Sequence, residues 1–418
     1  MAPEALDEAT LADVGVLADP KDFYRSLRQE PGLHYDPRLG AYLVSRYEDL
    51  LTVLQDPITF SLEQAWSTLW SEEFQAILER DGGGFFSDAI MTDPPNHTRV
   101  RRLVQKAFSP RRIKLLEPAI TAKVRELIES LADRGEADGV RDIAIPVTIR
   151  IMAEQLGMTD VDLDTIDRWS TAFTQQIGRM LTPEQIADNA RIVCECQRFV
   201  IDMVRQRQAH PTEDLISDLV HAHSEEDDNP ILTFGEIVAT ARAFLIGGNE
   251  SISTAIGNML LTLATHPDLA EQLHAALDDD RTFSRFVEEL IRIAPPARAT
   301  SRVVTRDVEL GGQLLKKGSL VITIFGSAND DETQFPDPRA FDIERANLGS
   351  HMGFGAGPHI CVGVALARME VKVVTRETVR MLEEIKLAVP VEDLPYRLNI
   401  ANHALEHLPL TFSRRKAA

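Results

Sequence analysis

"GFGAGPHICVG", residues 353–363, holds one of only three cysteines in a chain of 418 residues. Glycines flank Cys361, and the text that follows reads as a helix. A cysteine in such a frame is open to two readings. Free cysteines often serve as small buried hydrophobes. Against that, Cys361 stands where a glycine-rich loop turns into a helix, so helix N–H groups and the helix dipole favour a thiolate there. Gly355, Gly357 and Gly363 let backbone approach a flat partner closely, and Phe354 can shield the sulfur from water.

Outward from this motif the composition is that of a globular protein with ample core, 44% hydrophobic and 26% charged. A net charge of −21 argues against nonspecific nucleic-acid binding. The other two cysteines, Cys194 and Cys196, point apart on a helix and read as core filler; no disulfide framework is present. The start, "MAPEALDEATLADVG", is acidic and lacks the apolar stretch of a signal peptide. No run of about 20 apolar residues could span a membrane, so a cytoplasmic protein is expected. "GAYLVSRYEDLLTVLQD" reads as a strand then a helix. Residues 60–92, with Trp66, Trp70, Phe85 and Phe86 among glycines, read as a long irregular loop. Helical periodicity dominates from Thr98 to about Leu277. After Pro295-Pro296 come short alternating strands, "SRVVTRDVELGG" and "GSLVITIFG", and finally a long helix over 362–386. No linker divides the chain. One mostly-α domain over residues 1–418 with small β-sheets is expected.

A thiolate bound to haem iron needs a lowered pKa, N–H donors and a dry surround, all of which the opening motif offers. Phe354-x-x-Gly357-x-His359-x-Cys361-x-Gly363 resembles the haem-binding signature of the cytochromes P450, the haem-thiolate monooxygenases. The resemblance makes Cys361 the axial ligand of haem b and places Phe354, His359 and Gly363 at the cofactor, His359 against a propionate. It extends from about residue 20 to 412. "EELIRIAPP" carries Glu289 and Arg292 on one helical face; in the family this pair is buried and locked by a second arginine, a place that Arg345 fits. In "DPPNHTRVRRLVQKAF", His97 and Arg101 can face a propionate from one side of a helix, and Arg302 in "ATSRVV" matches a third contact. A buried haem carries two carboxylates that need such partners.

In "ARAFLIGGNESISTAIGNMLLTLATHP", Gly247 and Gly248 each cost about 1 kcal/mol relative to alanine in a helix interior. They are read either as a kinked core helix with a glycine packed against a neighbour or as a kink that opens a groove for dioxygen. By the resemblance, Glu250 and Ser251 are the catalytic acid–alcohol pair that relays protons, with serine where the family has threonine. At Asp330 the family has arginine or histidine; a local stabilising role is expected. The pocket is expected to be lined by Ala243, Ile246, Gly247, Ala297 and Ala299, with loop aromatics, which suits a small apolar or aromatic organic substrate. Arg242 and Arg298 are read as partners of a substrate carboxylate, propionate neighbours or surface groups. The resemblance implies insertion of one oxygen atom from O2. Electrons would come from a ferredoxin, acidic in character, with its NAD(P)H-dependent reductase, since no flavin or iron–sulfur segment follows the motif. The basic run from Arg99 to Lys114, which includes Arg111 and Arg112, is the expected docking face. Two rival readings are a haem-thiolate sensor without turnover and a haem-free helical protein.

Overall fold

A computed structural model describes residues 9–108, 110–225, 229–397 and 399–416, apart from the side chains at 110 and 111. Its axis is one long helix, Phe234–Thr265, opened by a capping box in which Thr233 and Glu236 satisfy each other's backbone N–H groups. This central helix is buried on almost every side, as its near-continuous apolar text requires. Around it pack the helices Ile145–Leu156, Leu163–Ile177, Pro183–Ala209 and Val364–Met381. Gly248 is where the Ile145–Leu156 helix comes closest. A Cβ there would lie 2.5 Å from Met152 Sδ. Gly247 has open space instead, so the two glycines split the two sequence readings between them. The helix runs unbroken past both.

The strands are β1 (His34–Asp36), β2 (Ala41–Val44), β3 (Phe60–Ser61), β4 (Glu136–Asp138), β5 (Ala299–Val304), β6 (Val308–Leu310), β7 (Gln313–Leu315), β8 (Leu320–Ile324), β9 (Leu382–Leu387) and β10 (Pro409–Arg414). They form a five-stranded sheet in the order β1-β2-β8-β5-β3, a three-stranded sheet β4-β10-β9 and the hairpin β6-β7. The β2–β8 pair is parallel and the other named pairs are antiparallel. β5 is the strand that carries Arg302 inward, paired to Val321 of β8.

Two expectations need correction. Residues 60–92 are not an irregular loop: Leu62–Ser67 and Glu72–Asp81 are helices, each started by a serine (Ser61, Ser71) whose hydroxyl accepts from the backbone N–H three residues on. The last helix ends at Met381, and Leu382–Leu387 continues as strand β9. Cys194 and Cys196 are buried free thiols in the core, as read. Among the described residues, no helix is long and apolar enough to cross a membrane.

Candidate active site

The Glu289–Arg292 helix turn and the Cys361 loop are locked to each other before any ligand is considered. Glu289 is fully buried and takes Arg292 Nε at 2.7 Å and Nη2 at 2.8 Å. Arg345 Nε reaches it at 3.4 Å, and the Asp342 N–H donates to it at 2.9 Å. Arg292 Nη1 then donates to the Asn329 carbonyl at 2.8 Å, while Asn329 Oδ1 accepts from the Met352 N–H at 2.7 Å. A rigid charge cluster thus ends one residue before the glycine loop. The neighbouring Glu288 carboxylate binds His351 Nε2 at 3.0 Å and Arg368 Nε at 2.6 Å. Arg368 in turn lies 4.9 Å over the Phe354 ring.

Within the loop, Cys361 N–H donates to the Phe354 carbonyl at 2.9 Å. Gly357 adopts φ +68°, and a Cβ there would lie 2.2 Å from the Leu54 carbonyl oxygen. The close approach that needs glycine is therefore to neighbouring backbone rather than to a ligand. Cys361 has its exposed surface on a cavity of about 410 Å³ that it lines. Burial pushes its thiol up, although the Gly363 N–H and the charges of Arg101 and Arg368 pull the other way. The expectation of a lowered pKa from the helix start alone does not hold: the helix proper begins at Val364, and desolvation wins.

Basic groups share the cavity with Cys361. Arg101 and His359 line it, as does Arg302. His97 does not line it but backs His359, ring centroids 3.9 Å apart. Burial, then the charge of Arg101, holds His97 down to about 4; burial, then His97, Arg302 and Arg101, holds His359 down to about 3. Burial brings even Arg302 down to about 10. Nε2 of both histidines is buried without a partner, and no described carboxylate forms an ion pair with any of the four. Four basic groups pressed together with no ion-paired acid, Asp93 acting on His97 and Arg302 only from further off, fit a ligand bearing carboxylates, and the thiol that lines the same cavity fits a soft metal. Haem meets both conditions.

The central helix supplies part of the wall. Ala243, Ile246 and Gly247 line the cavity, as do Ala297 and Ala299, so all five expected residues are brought together. Of the four aromatics, only Trp66 lines it; Trp70 stacks in the core with Phe74 and Phe173, and Phe86 against Phe234. Glu250 and Ser251 also reach the cavity. Burial pushes the Glu250 carboxyl up; Arg397, 3.0 Å away, opposes this. Ser251 Oγ donates to the Gly247 carbonyl at 2.5 Å. Sequence reasoning missed Arg397, Thr174 and Asn402, of which the last two line the cavity. Their partners lie far along the chain, and no local pattern marks them.

Three further readings change. Arg242 is neither a substrate ligand nor a surface group: it is 2% exposed and ion-paired to Asp88 at 2.9 Å. Arg298, 3% exposed, donates to the carbonyls of Leu17 and Asn399 and does not line the cavity. In the basic run, Arg99 pairs with Glu236 and Arg112 with Asp218, while Lys106 Nζ donates to the His223 carbonyl at 2.6 Å. Two of the seven cations are therefore paired with acids of the same chain; the side chain of Arg111 lies outside the described residues. Asp330 does have the expected local partners, Arg28 at 3.1 Å and Arg339 at 3.5 Å.

A thiol on a helix-start loop, basic groups and a long helix with an acid–alcohol pair, all lining one cavity, fit a haem-thiolate oxygenase pocket. A family model described as Cytochrome P450 matches residues 184–399. The 6-deoxyerythronolide B hydroxylase of Saccharopolyspora erythraea is 31% identical, over 88% of this chain and 90% of its own. The mycinamicin IV hydroxylase/epoxidase of Micromonospora griseorubida is 34% identical, over 87% and 88%. Among solved structures, the Tepidiphilus thermophilus P450 heme domain superposes with a TM-score of 0.89 at 26% identity, covering 98% of both chains. Cytochrome P450 CREJ, solved with (4-ethylphenyl) dihydrogen phosphate, gives 0.87 at 32% identity, covering 95% of this chain and 98% of its own. The chain belongs to the cytochrome P450 family. It has the P450 fold, binds haem b and is a P450 monooxygenase.

Proposed function

We propose that this protein, one catalytic domain over residues 1–418 acting in the cytoplasm, inserts one atom of O2 into a small apolar or aromatic organic molecule. The net reaction consumes two electrons and two protons, and the second oxygen atom leaves as water. Haem bound in the cavity would supply the iron chemistry of oxygen insertion. Cys361 would be its protein ligand, and Phe354 and Gly363 would frame the thiolate. Arg101, Arg302 and His359, with His97 behind, would hold the two propionates. Glu250 draws protons from the Arg397 side, and Ser251 hands them on. The wall of Ala243, Ile246, Gly247, Ala297 and Ala299 excludes water and holds an apolar substrate. A core that runs from Ala89 to Phe412 supports the single-domain reading.

Electrons come from a separate ferredoxin and its NAD(P)H-dependent reductase.

The observation that carries the reading is one cavity lined by the Cys361 thiol and by Arg101, Arg302 and His359, none of them ion-paired to a described carboxylate. Its test is optical. Haem-loaded protein, reduced under carbon monoxide, should show the red-shifted Soret band of thiolate ligation, and Cys361→His should abolish it. Heavy-isotope dioxygen should then label product with one atom. A globin-like carbonyl spectrum in the unaltered protein would overturn the assignment.

A further inference from the structure

The cavity wall built by residues 62–92 is fastened from behind by charge. Trp66 lines the cavity, and its indole Nε1 donates to Asp88 Oδ2 at 2.6 Å. The other oxygen, Oδ1, takes Arg242 Nη2 at 2.9 Å. One buried carboxylate thus serves both groups, and Asp88 and Arg242 are each 2% exposed. Arg242 Nη1 donates to Gln197 Oε1 at 2.5 Å, and Nη2 also to the Phe86 carbonyl at 3.1 Å. The guanidinium lies over the Phe173 ring at 5.1 Å. Gln197, fully buried, donates its amide to the carbonyls of Gly82 and Gly84 at 2.9 and 2.6 Å. The Leu62–Ser67 helix, the backbone of 82–88, the Pro183–Ala209 helix and the central helix therefore converge on one guanidinium.

Arg242 directly precedes Ala243, a wall residue, yet neither it, Asp88 nor Gln197 lines the cavity. Apolar contacts alone would let such a wall yield in small steps. A desolvated ion pair does not, because a half-broken pair leaves a buried charge without a partner. The indole, tied through its N–H to the same carboxylate, cannot turn aside for a larger ligand while the pair is closed.

We propose that Asp88–Arg242 is a latch that fixes Trp66 and residues 82–92 over the cavity and thereby sets the size of ligand admitted. Asp88, Arg242 and Gln197 act as positioning residues, and the inference rests on the cavity's being the substrate site. The test uses haem-loaded protein with imidazole and a phenyl-substituted imidazole, read by the optical shift of nitrogen ligation. The double variant Asp88→Asn/Arg242→Met strands neither charge; Arg242→Lys keeps the charge but loses the forked geometry. In the double variant the preference for the small azole should shrink by about tenfold, the discrimination worth roughly one methylene, with a partial loss in Arg242→Lys. Amide hydrogen exchange over 82–92 should accelerate in parallel. A size preference unchanged in both variants overturns the latch, even if exchange rises, while the thiolate carbonyl spectrum stands. An unaltered protein that gives no shift with either azole removes the cavity reading and the latch with it.

Discussion

The hydroxyl of Ser251 points back along its own helix, donating to the Gly247 carbonyl at 2.5 Å. To pass a proton onward it must exchange that bond for one into the cavity, and serine turns freely where threonine, with its extra methyl, is confined to fewer rotamers. Ser251→Ala should leave haem loading and the carbonyl spectrum intact while product per electron falls by roughly a hundredfold, the low end of proton-transfer assistance. Hydrogen peroxide should rise to match, measured against NADPH consumed; Ser251→Thr should keep or improve the yield. Unchanged coupling in the alanine variant would mean that water alone carries the proton. At this scale the sequence is most readable where the chemistry is local. Cys361, Glu250 and Ser251 announce themselves within a few residues of glycine. Arg397 does not, because the carboxylate it holds is 147 residues away.

Between elements, the Glu289 cluster joins the Asp280–Ile293 helix to the Arg345 segment and, through Asn329, to the cysteine loop. Glu289→Gln removes the charge that two buried guanidiniums share. The cost should be about 3–5 kcal/mol, a large part of a typical total of roughly 5–15 kcal/mol. Urea unfolding of the haem-loaded variant should show it as an earlier midpoint with an unchanged slope; a loss under about 1 kcal/mol would mean that water enters the cluster. The Glu-x-x-Arg spacing made this pair legible, since both residues lie on one helix face. The helices within 60–92 were less so. Bulky aromatics and glycines 82–84 obscure them, although Ser61 with Gln64 and Ser71 with Phe74 carry the capping pattern. Arg242 was misread for the reason that hid Arg397: Asp88 is 154 residues distant.

For the molecule as a whole, the two ends of the chain meet at His403. Its Nε2 lies 3.2 Å from the Ala18 carbonyl, and its ring stacks on Tyr396 at 4.3 Å. Burial, then the charge of Arg298, holds this imidazole down to about 4, against its ordinary 6.5. The unfolded chain therefore binds the proton first as pH falls. The contribution is complete above pH 6.5, shrinks as pH drops toward about 4, and should total about 2 kcal/mol for a partly exposed ring. The stability difference between unaltered protein and His403→Asn should narrow across that window; a difference flat in pH would show that the native ring protonates freely. The fold class was legible at this scale, because helical periodicity gives way to short strands at Pro295-Pro296. The charge pattern was not. Seven basic residues from Arg99 to Lys114 look free in the text, yet Arg99 and Arg112 find acids more than a hundred residues on.

The Arg397–Glu250 pair has a consequence for how the protein comes into being. A ribosome adds roughly 5–20 residues per second, so the cation that balances Glu250 is made 147 residues, or roughly 7–30 seconds, after the acid itself. Until then the central helix carries an acid whose native counter-charge does not yet exist. The site can close only when the chain is nearly complete, and a product cut short before Arg397 would hold the cysteine loop and the basic groups around a buried acid that lacks its ion-pair partner and feels only the more distant Arg141.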